Sequence, residues 1–213
     1  EKNSFLLEMK KEQQTKAISR ILEKNHIRNA VICSKEMCFA LMGISINDTL
    51  LDTIVNDMIQ KTVEINNCAC SAIISNPLSD YLKLADTYQK LKEGFHIRMI
   101  RKQQWQCIFL DELQYDRIML HISEDTEVHQ FIRCKLGPLV EYDRAHDTQL
   151  LETLEALIQN HNSRKLAAES LFLHRNTMVH RINKIEEVLH CSLDDTEIME
   201  QLEFAIKMKM YAH

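Results

Sequence analysis

Three glycines and two prolines in 213 residues constrain this chain more than any other feature. Tight turns lean on glycine for positive φ and on proline for a preset φ, so a chain this poor in both must turn rarely. A sandwich or barrel, turning every 8–12 residues or so, would need many more of each. Long helices with few connections are what remains. With 45% apolar residues the chain can bury a core, and its length suits one or two domains. The longest apolar runs, such as residues 37–42, fall far short of the roughly 18 residues of a membrane span. Residue 1 is Glu, so the chain is expected to be a soluble, cytoplasmic piece of a longer protein whose preceding part also carries function.

The seven cysteines are odd in number and lie mostly among apolar neighbours, which predicts reduced, buried thiols. Cys68-Ala69-Cys70 lacks the C-x2-C spacing of a zinc knuckle, and His174 and His180 stand six apart rather than the four that would align them on one helix face. No metal or cofactor is expected. Trp105, with Gln103, Gln104 and Gln106, is expected to pack in a loop or at the surface.

Hydrophobic periodicity divides the chain. Residues 4–9 read as a strand and residues 10–25 as a helix. Two strands follow over residues 30–33 and 37–42, joined by Ser34-Lys35-Glu36. A helix from Asp48 carries Leu51, Ile54, Val55, Met58, Ile59 and Val63 on one face. Residues 68–75 read as a strand, and a helix opened by Pro77 is expected to end at Gly94. Residues 106–110 read as a strand and 113–123 as a helix. The order β-α-β-β-α-β-α-β opens with the split-βαβ, ferredoxin-like arrangement, so residues 1–125 are expected to form an α+β domain. Gly137-Pro138 falls in an expected linker, residues 126–146. Residues 147–213 read as an all-helical domain, with Asp147 capping its first helix and Asp194-x-x-Glu197 opening its last.

The most informative stretch is Arg164–Ile182, R-K-L-A-A-E-S-L-F-L-H-R-N-T-M-V-H-R-I. A DNA-binding helix-turn-helix needs a small residue in its first helix so that the second can cross closely, and Ala168 supplies it. Leu171 and Leu173 flank the turn, and Met178, Ile182 and Ile185 recur on the inner face of the second helix. Phe172 stands where glycine is usual, which fits if φ there stays negative. Arg175, Asn176 and Thr177 then fall at the N-terminal end of the second helix, the part that meets base edges in the major groove. His174, His180, Arg181 and Lys184 continue along it, while Arg164 and Lys165 open the first helix. Arginine can pair bidentately with guanine and asparagine with adenine.

The chain carries a net charge of −5, which taken alone disfavours DNA. Position changes that reading. Between Arg164 and Lys184 there are five cations and one anion, a local +4, which leaves −9 for the rest. Basic charge is concentrated where a DNA footprint would need it.

His174-Arg175-Asn176-Thr177, with Arg181-Ile182 and Lys184-Ile185-Glu186, resembles the C-terminal helix-turn-helix of PucR/CdaR-type bacterial transcriptional regulators. Leu136-Gly137-Pro138-Leu139-Val140-Glu141-Tyr142-Asp143 and Leu150-Leu151-Glu152-Thr153-Leu154 resemble the segment before it. His180 departs from the Tyr more usual in that family. The resemblance implies a degenerate GGDEF-like domain over residues 1–125, double-stranded operator DNA and a homodimer as partners, and a small-molecule effector sensed by an N-terminal region absent here. The cyclase chemistry of intact GGDEF domains is not expected. The hairpin turn Cys33-Ser34-Lys35-Glu36-Met37 has no glycine pair and one carboxylate, and near the first strand only Glu8 stands, too few acids for two metals. The other open reading is a signalling module that binds a ligand or protein partner and uses its helices only to dimerise.

Overall fold

The computed structural model describes residues 2–34, 37–43, 48–101 and 106–212. The chain forms two compact units, one of Glu1–Lys92 with Gln103–Glu112, the other of Glu93–Lys102 with Leu113–His213.

In the first unit, helix α1 (Lys2–Lys24) precedes an antiparallel hairpin of β1 (Arg28–Cys33) and β2 (Cys38–Gly43), followed by α2 (Asp48–Asn66). Strand β3 (Ala72–Ile74) pairs in parallel with β4 (Cys107–Phe109), and α3 (Leu84–Arg101) lies between them in sequence. Ile18, Leu22, Ile27 and Ile54 are its buried centre, with Val31, Ala40 and Met42 of the hairpin packed on them.

Several expectations change here. Residues 4–9 are helical, so from α1 onward the order is the split-βαβ order without its opening strand. The four described strands form two separate pairs rather than one sheet. Gly94 does not end a helix but lies inside α3, whose burial of Ile97 outweighs the modest cost of one interior glycine. The cysteines also depart from the expectation of reduced thiols: Cys33 faces Cys38 across the hairpin, and the two are joined by a disulfide. The other described cysteines are exposed or half-buried rather than buried. Lys35, Glu36, Gln103, Gln104 and Trp105 lie outside the described residues.

The second unit is helical. After α4 (Gln114–Ser123) come α5 (Thr126–His146), α6 (Leu150–Gln159), α7 (Arg164–Ser170), α8 (Arg175–Leu189) and α9 (Thr196–Tyr211). Residues 126–146, expected as a linker, are thus a 21-residue helix. Its Leu136 and Leu139 are buried in the core formed by α6 to α9, and Phe131 packs edge-on against Phe204 with ring centroids 5.7 Å apart. Burial on this face outweighs the cost of Pro138 in the helix interior.

With glycine scarce, other residues close the helices. His26, Asp147, His161, Phe172 and His190 all take positive φ just beyond helix ends. Behind them, backbone N–H groups reach back to carbonyls of the last turn, as in Ile27 N to Leu22 O at 2.9 Å and Cys191 N to Glu186 O at 3.2 Å.

Candidate nucleic-acid interface

Helices α7 and α8 form the helix-turn-helix. Ser163 caps α7 by accepting from the Leu166 N–H. Ala167 and Ala168 are buried and let α8 approach, and Met178, Ile182 and Ile185 fill the seam. The turn is a Schellman closure: Leu173 N donates to Ala168 O at 2.8 Å and Phe172 N to Glu169 O at 3.1 Å. This places Phe172 at φ 54, against the expected negative φ, with its ring 97% exposed. An L side chain in this region costs roughly 1–2 kcal/mol, and this one recovers little by packing. Phe172→Gly is therefore expected to leave stability unchanged or raise Tm by a few degrees, whereas the β-branched Phe172→Val should lower it; thermal denaturation followed by circular dichroism decides.

His174 caps α8, its Nδ1 accepting from the Asn176 N–H at 3.3 Å. Arg175, Asn176, Thr177 and His180 are exposed, and their side chains make no hydrogen bond or ion pair among the described residues. Lys165 is also exposed, 4.0 Å from Glu169. The remaining cations are engaged within the domain. Arg164 pairs with Asp194 at 2.8 Å. Arg181 donates to Thr153 Oγ1 and Gln149 Oε1, both at 3.1 Å. Lys184 pairs with Glu187 at 2.9 Å and lies over the Tyr142 ring at 5.2 Å. The Glu187 hydrogen bond holds its ammonium above the usual lysine range. The nine expected residues thus separate into an outward group and a group turned toward α5, α6 and the start of α9.

Two residues on the outward face went unnoticed in the sequence. Val179 and Asn183 are exposed and follow Arg175 at i+4 and i+8, the spacing that returns to one side of a helix. Extending the periodicity from Arg175 along α8 would have found both.

The position of α8 depends on Asp143 of α5. Its carboxylate accepts from Thr148 Oγ1 at 2.6 Å, Leu150 N at 2.8 Å and Leu151 N at 2.9 Å. It thereby caps α6, a task expected of Asp147, which instead closes α5 at φ 52. Burial works against its charge, but the hydrogen bonds from Leu151, Thr148 and Leu150 and the nearby Arg181 outweigh it and hold the carboxyl below its ordinary range. Arg181 then ties α8 to the same end of α6. At the start of α9, Asp195 caps by accepting from Glu197 N and Ile198 N.

Residues 150–208, from the first residue of α6 into α9, match the family model of the PucR C-terminal helix-turn-helix domain. The C-terminal domain is thus similar to that of PucR/CdaR-type transcriptional regulators. Among curated proteins it is 31% identical over 130 residues to the proline-responsive transcriptional activator PutR of Bacillus subtilis, covering 61% of this chain and 32% of that protein. It is 32% identical over 91 residues to the purine catabolism regulatory protein of the same organism, covering 43% and 17%. The carbohydrate diacid regulator of Escherichia coli is 24% identical over 135 residues, covering 63% and 34%. The chain therefore spans about a third or less of the length of these relatives. Beside the PucR-type domain, the described residues hold no cluster of three or more His, Cys, Asp or Glu placed to bind a metal, and no described helix is long and apolar enough to cross a membrane. Glu8, the acid expected near a first strand, lies on α1 and pairs with Lys11 at 2.6 Å.

Proposed function

We propose that this chain is the DNA-reading portion of a sequence-specific, cytoplasmic transcriptional regulator that binds a two-fold operator as a dimer. The observation that carries the reading is the N-terminal end of α8. Arg175, Asn176, Thr177 and His180 stand exposed there and unpartnered among the described residues, on a helix seated by its buried face. An exposed arginine and asparagine at the leading end of such a helix suit guanine and adenine edges, and Lys165 suits a phosphate. Arg164, Arg181 and Lys184, by their internal partners, hold the reading head in place and would reach DNA only by exchanging those partners. The order of α1 to β4 supports a degenerate GGDEF-like assignment for the first unit, without cyclase activity. Control by a small-molecule signal sensed outside these residues completes the proposal, because the relatives are much longer and one is named as proline-responsive.

One helix-turn-helix reads few base pairs, so two copies on half-sites about 34 Å apart, or a multiple of that, are required for specificity. A mobility-shift series across salt on the native promoter region tests the reading. Arg175→Ala and Asn176→Ala should each weaken specific binding about tenfold to a hundredfold with no change in melting temperature. Lys165→Ala should weaken all sequences alike and reduce the salt slope by about one. If Arg175→Ala and Asn176→Ala both bind like the parent, α8 is not the reading helix.

A further inference from the structure

Helix α5 has two contrasting faces. Its inner face, with Leu136 and Leu139 fully buried, packs on α6, α8 and α9. Its outer face is an open groove of about 590 Å³ lined by Arg133, Cys134, Gly137, Pro138 and Glu141, with Thr126 and Gln130 toward its start. Glycine and proline stand side by side on this outer face, in the middle of a 21-residue helix. Each disfavours a helix interior, glycine by about 1 kcal/mol and proline by about 3 kcal/mol. Nothing inside the chain requires the glycine, since a Cβ built at Gly137 would meet no heavy atom within 4 Å. Proline also has no N–H, so the Cys134 carbonyl lacks its helical donor on that side.

The charges on this face are arranged symmetrically about Gly137. Arg133 lies four residues before it and Glu141 four after, both exposed and without an ion-pair partner among the described residues. Gln130 and Arg144, both exposed, stand seven before and seven after. Cys134 and Val140, also exposed, stand three to either side. We propose that α5 is the face through which two copies of this chain associate, crossing antiparallel about a two-fold axis at Gly137. A two-fold axis at the crossing point sets a position four residues before the centre of one helix opposite the position four residues after the centre of the other. Arg133 of each copy then faces Glu141 of the other, giving two identical ion pairs, and Gln130 meets Arg144 as amide to guanidinium. Cys134 and Val140 supply apolar infill between them. The missing side chain at Gly137 lets the helix axes approach closely at the crossing point, as small residues do wherever helices pack tightly. The purpose of the pair rests on the two-fold operator reading above, but its geometry does not.

Sedimentation velocity on the whole chain in reducing buffer, without DNA, tests the association. The parent should show a concentration-dependent monomer–dimer equilibrium. Arg133→Glu and Glu141→Arg should each raise the dimer Kd at least about tenfold, because each sets two like charges face to face. Arg133→Glu/Glu141→Arg in one chain should restore the parent value. Mixing the two single variants should give a heterodimer that neither forms alone, because both pairs then regain opposite charge. Circular dichroism melts should keep Tm within about 2–4 °C of the parent for these surface changes, which excludes misfolding as the cause. A chain monomeric at concentrations on the order of 100 μM, or single variants that associate like the parent, or a double variant that fails to recover, overturns the proposal. Arg175→Ala should dimerise normally while losing DNA, so failure of this interface and failure of the DNA-binding reading are separately visible.

Discussion

Replacing Asp143 with alanine is expected to lower the stability of the C-terminal unit by about 2–3 kcal/mol, although the residue lies outside the helix-turn-helix itself. One carboxylate receives three hydrogen bonds, two of them from the otherwise uncapped first turn of α6. Losing a helix cap costs about 1–2 kcal/mol, and hydrogen bonds to a charged group are worth about 1.5–3 kcal/mol, with overlap between the two. For a unit of this size the loss corresponds to a fall in Tm of roughly 10–20 °C. The pH dependence follows from the sign of the shift. The native carboxyl lies below its unfolded value, so its contribution is complete above the unfolded pKa of about 4 and disappears as pH falls through the native one. Urea melts of the parent and of Asp143→Ala should therefore differ most at neutral pH and converge in acid. A difference that is the same at pH 7 and at about pH 2.5 would place the effect elsewhere than in this carboxylate.

The same variant should weaken DNA binding indirectly, since α6 packs against both α7 and α8 and Arg181 bonds to Gln149 and Thr153 at the end that Asp143 caps. Asp143→Ala should lower Tm and operator affinity together. Arg175→Ala should lower affinity alone. That contrast distinguishes the residues that position α8 from those offered to the duplex.

Local periodicity explains which parts of this molecule could be read in advance. The buried stripe Met178, Ile182 and Ile185 repeats at helical spacing, and the alanines of α7 are its near neighbours in sequence, so the helix-turn-helix is written in about twenty consecutive residues. The first unit is different. Its β3 and β4 are three residues each and pair across 35 positions, so neither length nor neighbouring residues reveal their partner. Gly137-Pro138 reads as a break by propensity, yet Leu136 and Leu139 beside them are buried in the domain core, and tertiary burial outweighs local preference. The disulfide depends on the hairpin register that sets Cys33 opposite Cys38, which the turn geometry fixes and strand bounds alone do not reveal. Among the cations, chemistry alone could not separate Arg175 from Arg181. What separates them is the arrival of Gln149 and Thr153 from about thirty residues upstream.

The second large effect should follow Asp116→Ala, at about 2–4 kcal/mol. Asp116 on α4 is only 2% exposed. One carboxylate oxygen pairs with Arg101 at 2.9 Å, and the other accepts from the Tyr211 phenol at the end of α9. Removing a buried ionic partner commonly costs about 3–5 kcal/mol, here reduced because the Arg101 side chain keeps 38% of its surface in water. Asp116→Asn should cost less, since its amide oxygen still accepts from Tyr211. Ser123, which donates to Leu120 O at 2.7 Å and Tyr211 O at 3.2 Å, fixes the same junction. The junction also carries an alkaline signature. Burial, then the hydrogen bond and charge of Asp116, push the Tyr211 phenol well above its ordinary value. A raised native pKa means the contribution is complete below the unfolded value of about 10 and is lost as pH rises toward the native one. Parent stability should therefore decline between about pH 10 and 12 through this group. Tyr211→Phe, less stable at pH 8 for want of its hydrogen bond, should narrow its gap to the parent across that interval. Denaturant melts at pH 8 and pH 11 read both effects, and a gap of constant size would mean that the phenol titrates alike in the native and unfolded states, so that neither burial nor Asp116 raises it.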